Sequence, residues 1–114
     1  MAITFENASD SGHLIFYGST TIAKNTSKVL LVEGYPGAVQ VHINGTGVAA
    51  FMVSVTTYPT DKVLAETAQF IDAEASDLDE DQDFNLDYGV SAVKITNRST
   101  STDTIDVAWR VRKI

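Results

Sequence analysis

The sequence predicts an all-β fold, an antiparallel β-sandwich or jelly-roll-like barrel of seven to nine short strands, on three observations. Apolar side chains recur at every second position in several short runs, the period at which a strand presents opposite faces. The runs follow one another at intervals of roughly eight to twelve residues, as in sandwiches and barrels. Turn-forming residues separate them, including Gly34-Tyr35-Pro36-Gly37, Asn44-Gly45 and the Ser99-Thr100-Ser101-Thr102 run.

In order, residues 1–12 open with Ile3 and Phe5 on one parity and then turn polar, which reads as an N-terminal arm or short strand ahead of a single domain at 13–114. Termini are poorly ordered unless something holds them, so the arm is expected to dock on this sheet or on a neighbour's. Residues 13–18, with Leu14, Ile15, Phe16 and Tyr17 in succession, suit a strand buried on both faces or lying at an interface. Residues 19–27 read as loop, and Val29-Leu30-Leu31-Val32 as another buried strand. Val39, Val41 and Ile43 then alternate with polar residues up to Asn44-Gly45, the pair best suited to positive φ in a tight turn. Phe51, Val53 and Val55 return, so residues 38–58 read as a hairpin.

Residues 62–72 fit either a helical face or, in their second half, a strand; residues 73–82 read as an acidic loop. Phe84, Leu86 and Tyr88 alternate again and are expected to face inward. Residues 89–98 and 103–114 then read as the clearest hairpin, with Ile105, Val107, Trp109 and Val111 on the apolar side of its second strand. The single Trp belongs at the centre of the core.

A chain of 114 residues, 44% hydrophobic and 20% charged, has the composition of one globular domain. Without Cys, neither disulfides nor thiolate metal sites contribute. No run approaches the roughly eighteen apolar residues of a membrane span, and residues 1–11 lack the basic start and apolar stretch of a signal peptide. The expectation is a soluble protein made in the cytoplasm, with no membrane partner. The net charge of −7 is local: residues 72–87 hold eight acids and no base, leaving seven acids against eight bases elsewhere. With no basic stripe, no nucleic-acid partner is expected.

Asp77, Asp79, Asp81 and Asp83 occupy alternate positions, as the first ligands of an EF-hand loop do. The match then fails, because Gln82 stands where the sharp-turn Gly belongs and Tyr88 where the bidentate Glu belongs. A looser calcium site is the sharp reading and a solvated acidic loop the plain one, so no cofactor is expected beyond that candidate calcium. His13 and His42, the two histidines, fall short of a zinc set and read as surface imidazoles. No Gly-x-Ser-x-Gly elbow places a Ser beside a base, so no catalytic residue is assigned and no enzyme expected. Tyr17, Tyr35, Tyr58 and Tyr88 are possible aromatic platforms for a sugar, although Tyr in small β-proteins commonly lies half-buried at edges.

The segment Gly89-Val90-Ser91-Ala92-Val93-Lys94-Ile95, a Ser/Thr-rich turn and then Ile105-Asp106-Val107-Ala108-Trp109-Arg110-Val111 resemble the ending of many small structural proteins of tailed bacteriophages. Val39-Gln40-Val41 with Phe51-Met52-Val53-Ser54-Val55 looks like their central hairpin. The resemblance covers residues 38–114 and departs at 62–83, which are longer and more acidic than the loop those proteins carry there. It implies a β-sandwich that binds a protein lattice, often as a trimer, and no catalytic residues.

The expected function is therefore a non-enzymatic virion protein, assembled in the host cytoplasm, that decorates or cements a capsid by contacts with the major capsid protein or another virion protein. The alternative is a carbohydrate-binding β-sandwich module, calcium-dependent through Asp77 to Asp83. Ile3, Phe5, Leu14, Phe16 and Tyr17 are the expected homo-oligomer or capsid interface, with a trimer favoured by the resemblance. Removing residues 1–9 is expected to weaken assembly while leaving the β-fold intact.

Overall fold

The computed structural model describes residues 2–8, 15–32, 36–44, 51–72, 82–86, 90–97 and 104–113. They form nine strands and one short helix: β1 (Ala2–Asn7), β2 (Ile15–Ile22), β3 (Thr26–Leu31), β4 (Pro36–Asn44), β5 (Phe51–Thr56), α1 (Thr60–Leu64), β6 (Ile71–Asp72), β7 (Gln82–Leu86), β8 (Ala92–Asn97) and β9 (Ile105–Lys113). The sandwich expected from the alternation is there. One sheet has the order β1-β3-β8-β5-β6 and the other β2-β9-β4-β7.

The pairing is nested. β2 pairs with β9, β3 with β8, β4 with β7 and β5 with β6, all antiparallel. Contacts of β9 with β4 and of β8 with β5 join these four pairs into the two sheets. That is the strand order of a jelly roll, to which β1 adds a parallel edge beside β3.

Both expected hairpins are corrected by this order. β8 and β9 lie in opposite sheets, as do β4 and β5; of the consecutive strands, β5 and β6 alone share a ladder. The physical reason is occupancy. Each edge of β8 is taken by β3 or β5, and each edge of β9 by β2 or β4, so the turn between them carries the chain across the sandwich. β2 also runs on to Ile22, through residues expected as loop. Its second half is Ser and Thr, but Thr20 and Ile22 keep the inward parity, and Ile22 is buried. The turn into β3 uses Asn25 at φ 54, a conformation Asn tolerates better than most residues.

The core lies between the sheets. Leu30, Val53, Val93 and Ile95 from one sheet face Val41, Ile43, Ile105, Val107 and Val111 from the other, all buried. Each such side chain contributes about 1.5–3 kcal/mol on leaving water. Trp109 is buried there, as its parity predicts, and its indole N–H donates to the Ala8 carbonyl at 2.9 Å. Asn97 is also inward and fully buried; its amide donates to the Ile22 carbonyl at 3.2 Å, tying β8 to the opposite sheet.

The N-terminal segment is integrated into this protein's own sheet. β1 runs in register with β3 from Ala2 opposite Thr26 to Asn7 opposite Leu31. Ala8 is buried, its N–H donates to the Leu31 carbonyl at 2.7 Å, and its carbonyl is the acceptor for Trp109. Removing residues 1–9 is therefore expected to disturb the fold itself, where the sequence alone suggests that it would leave the sandwich intact.

Candidate functional site

The two sheets differ in what covers their outward faces. On the five-stranded sheet, Val29, Leu31 and Ala92 form a second buried cluster with Val63 of α1, and Phe5, Ala68 and Phe70 pack against it. The ammonium of Lys94 stands 4.6 Å from the centroid of the Phe70 ring. The buried hydroxyls of Ser27 and Thr96 satisfy one another at 2.8 Å. The Ser91 hydroxyl donates to the carbonyls of Thr56 and Tyr58, holding the start of the covering segment to the sheet. The centre of this sheet is thus covered on both sides, while Ile3 and Ile71 on its two edge strands stay exposed.

The outward face of the four-stranded sheet is open. Tyr17, Ser19 and Thr21 of β2, Gln40 and His42 of β4, and Asp106, Ala108, Arg110 and Arg112 of β9 are all exposed there, Tyr17 at 69%. Their grouping follows from register, since directly opposed residues on adjacent strands share a face. Tyr17, Arg110 and Gln40 make one row; Ser19, Ala108 and His42 the next; Thr21, Asp106 and Asn44 the third. β7 extends the first two rows with Asn85 opposite Gln40 and Asp83 opposite His42.

Ala108, the smallest side chain at the centre, forms the floor. Around it lie two depressions, one of about 420 Å³ bordered by Ser19, Thr21, His42 and Asp106, the other of about 390 Å³ bordered by Tyr17, Gln40, His42 and Arg110. His42 and Ala108 belong to both, so the two are continuous along β9. The Arg110 guanidinium carbon stands 6.0 Å from the Tyr17 ring centroid, at the limit of a cation–π contact. Among the described residues no carboxylate pairs with Arg110 or Arg112. Such a face offers an aromatic surface, the planar cationic donors of Arg110 and Arg112, amide and hydroxyl groups and the carboxylate of Asp106, with Asp83 at the register position beside His42, all on strands. It is equipped to bind.

The expected site residues fall in separate places. Tyr17 is on this open face, whereas Ile3, 38% exposed, and the half-buried Phe5 are on β1 at the edge of the other sheet, beside an apolar cavity of about 140 Å³ under α1. Phe16 holds the register position opposite Val111; Leu14 lies outside the described residues. Asp77, Asp79 and Asp81 are likewise outside them, as are Tyr35, Tyr88 and His13, and Asp83 is placed only by its register opposite His42. Among the described residues no group of three or more His, Asp or Glu gathers at a metal position. His42 is exposed, as its strand parity predicts. Gln40, Ser19, Asp106 and Arg110 were not singled out from the sequence as site residues. Their alternation on β4 and β9 was visible, but nothing local says that β2 and β4 flank β9.

No family model and no curated protein matches the sequence. Among solved structures, the chain is similar to Aeromonas hydrophila PliG, a periplasmic lysozyme inhibitor of g-type lysozyme, with TM-score 0.52, 13% identity and 96% of each chain covered. At that identity the likeness concerns the fold, which the two share. Slighter likenesses include the SPBc2 prophage-derived protein YomS, with TM-score 0.49 and 15% identity over 87% of this chain and 95% of that one. Another is a mutant of the family 29 carbohydrate-binding module CBM29-2, with TM-score 0.47 and 14% identity over 87% of this chain and 70% of that one. The shared feature is the β-sandwich fold, which the two-sheet topology of this chain shows directly.

Proposed function

We propose that this protein is a non-enzymatic structural protein of a tailed-phage virion, one that decorates or cements the capsid through many identical contacts with the major capsid protein. The observation that carries the reading is the open face of the four-stranded sheet, where Tyr17 and Arg110 share a row on rigid strands. Tyr and Arg are among the residue types enriched at protein–protein hot spots, and a strand already fixes their backbone, so that ordering their side chains is what remains to be offset on binding. On a symmetric lattice, weak contacts made simultaneously by linked copies replace single-site affinity. The resemblance of residues 89–95 and 105–111 to phage virion proteins supports the same reading and favours a trimer. The test is co-sedimentation with empty capsids: the wild type should pellet with them to a saturating, lattice-determined ratio, and the Tyr17→Ala/Arg110→Ala double variant should remain in the supernatant. A wild type that stays in the supernatant at every capsid concentration would refute the proposal.

A second reading, a carbohydrate-binding module, is favoured by one specific observation. The continuous depression beside the exposed Tyr17 ring has the mixed aromatic and hydrogen-bonding lining that saccharides use. Glycan binding with and without chelator tests it, including the calcium dependence that Asp77, Asp79, Asp81 and Asp83 would confer.

A further inference from the structure

The depression on the four-stranded sheet is polarised along its length. From Asp106 to Arg110 the floor strand rises about 13 Å, at about 3.3 Å per residue. One end is walled by Asp106 with Ser19 and Thr21; the other by Arg110, Gln40 and the face of Tyr17. Arg112 is exposed on the same side of β9, one alternation beyond Arg110. Two guanidiniums therefore stand at one end, and among the described residues neither pairs with a carboxylate. An anionic group is matched there and repelled at the Asp106 end.

Resting on the saccharide reading above, we infer that this face takes a short oligosaccharide whose terminal sugar carries a carboxylate. The terminal sugar's C–H face stacks on the Tyr17 ring, and its carboxylate accepts paired hydrogen bonds from the Arg110 guanidinium, whose planar fork fits two oxygens. Gln40 hydrogen-bonds the next sugar across Ala108, where the absence of a larger side chain leaves room for the ring. Neutral hydroxyls of the following unit meet Asp106 and Ser19. A polymer charged on every unit fits worse, because one of its carboxylates would face Asp106. The overall charge of −7 does not forbid the contact, since interactions beyond about 8 Å are largely screened at physiological salt.

The experiment is calorimetric titration of the full chain with 3′-sialyllactose and with glucuronyl-xylose, each beside its carboxylate methyl ester, and with lactose as a neutral sugar. At least one acid should bind more than tenfold tighter than its own ester. Arg110→Ala should erase that difference, Arg110→Lys should restore it in part, and raised salt should reduce it. Tyr17→Ala should weaken acid and ester alike while Tyr17→Phe does not, and melting curves of each variant establish that the fold is kept. Acids and esters binding equally would overturn the carboxylate assignment while leaving a saccharide site. No binding by any of the five ligands would overturn the inference together with the saccharide reading.

Discussion

Trp109 is 5% exposed with its indole N–H on the Ala8 carbonyl, so truncating it opens a void and strips a buried acceptor of its donor. Trp109→Ala should cost about 3–5 kcal/mol in a denaturant titration, as aromatic deletions from cores do. Directly across the ladder from Trp109 is Gly18. A Cβ there would overlap Cζ2 and Cε2 of the indole and stand 2.8 Å from Nε1. Gly18→Ala should therefore destabilise the protein by about 1–3 kcal/mol, the usual range for overpacking, and should shift the emission of this single Trp. An unchanged midpoint and spectrum would mean that the indole does not lie over Gly18. The inward parity of Trp109 was legible in the sequence, but its dependence on Gly18 was not. After Leu14-Ile15-Phe16-Tyr17 a Gly reads as the end of a strand, whereas here it continues the strand and clears space for a ring from the next one.

At the scale of elements, strand existence was legible and strand partnership was not. Seven to nine segments alternate or run apolar in the sequence, and the described residues form nine strands, because period-two patterning is imposed locally by which face is buried. Partner choice is imposed by the whole sheet. The turn at 98–103 looks like a hairpin turn, yet β8 and β9 belong to different sheets. The candidate site was illegible for the same reason: its first row joins Tyr17, Arg110 and Gln40 from three strands far apart in sequence. Disulfide trapping separates the two arrangements cleanly, since the chain has no Cys of its own. Ser19→Cys with Ala108→Cys, a directly paired position, should oxidise within the monomer. Lys94→Cys with Ala108→Cys, which a β8–β9 hairpin would bring opposite one another, should stay reduced because the two lie on opposite outer faces of the sandwich.

For the molecule as a whole, the nested order has a kinetic consequence. β2 must find β9 and β3 must find β8 across most of the chain, and only β5 with β6 closes locally. Closing such long loops precedes the contacts that reward it, which places folding in the millisecond-to-second range typical of all-β domains. Stopped-flow refolding followed by Trp109 emission should give that timescale, and completion within microseconds would contradict the nested topology. The same order leaves the centre of one sheet covered on both sides and the other sheet open on one, so that among the described residues the four-stranded sheet presents a broad polar face backed by the core. The most direct measurement of capsid binding through that face is hydroxyl-radical footprinting of the protein free and bound to empty capsids, read at individual side chains by mass spectrometry. Tyr17 and His42 should become protected on binding while Tyr58 and Leu64, exposed on the other side of the sandwich, are labelled as before. Protection of Tyr58 and Leu64 with Tyr17 labelled equally in both states would contradict binding through that face.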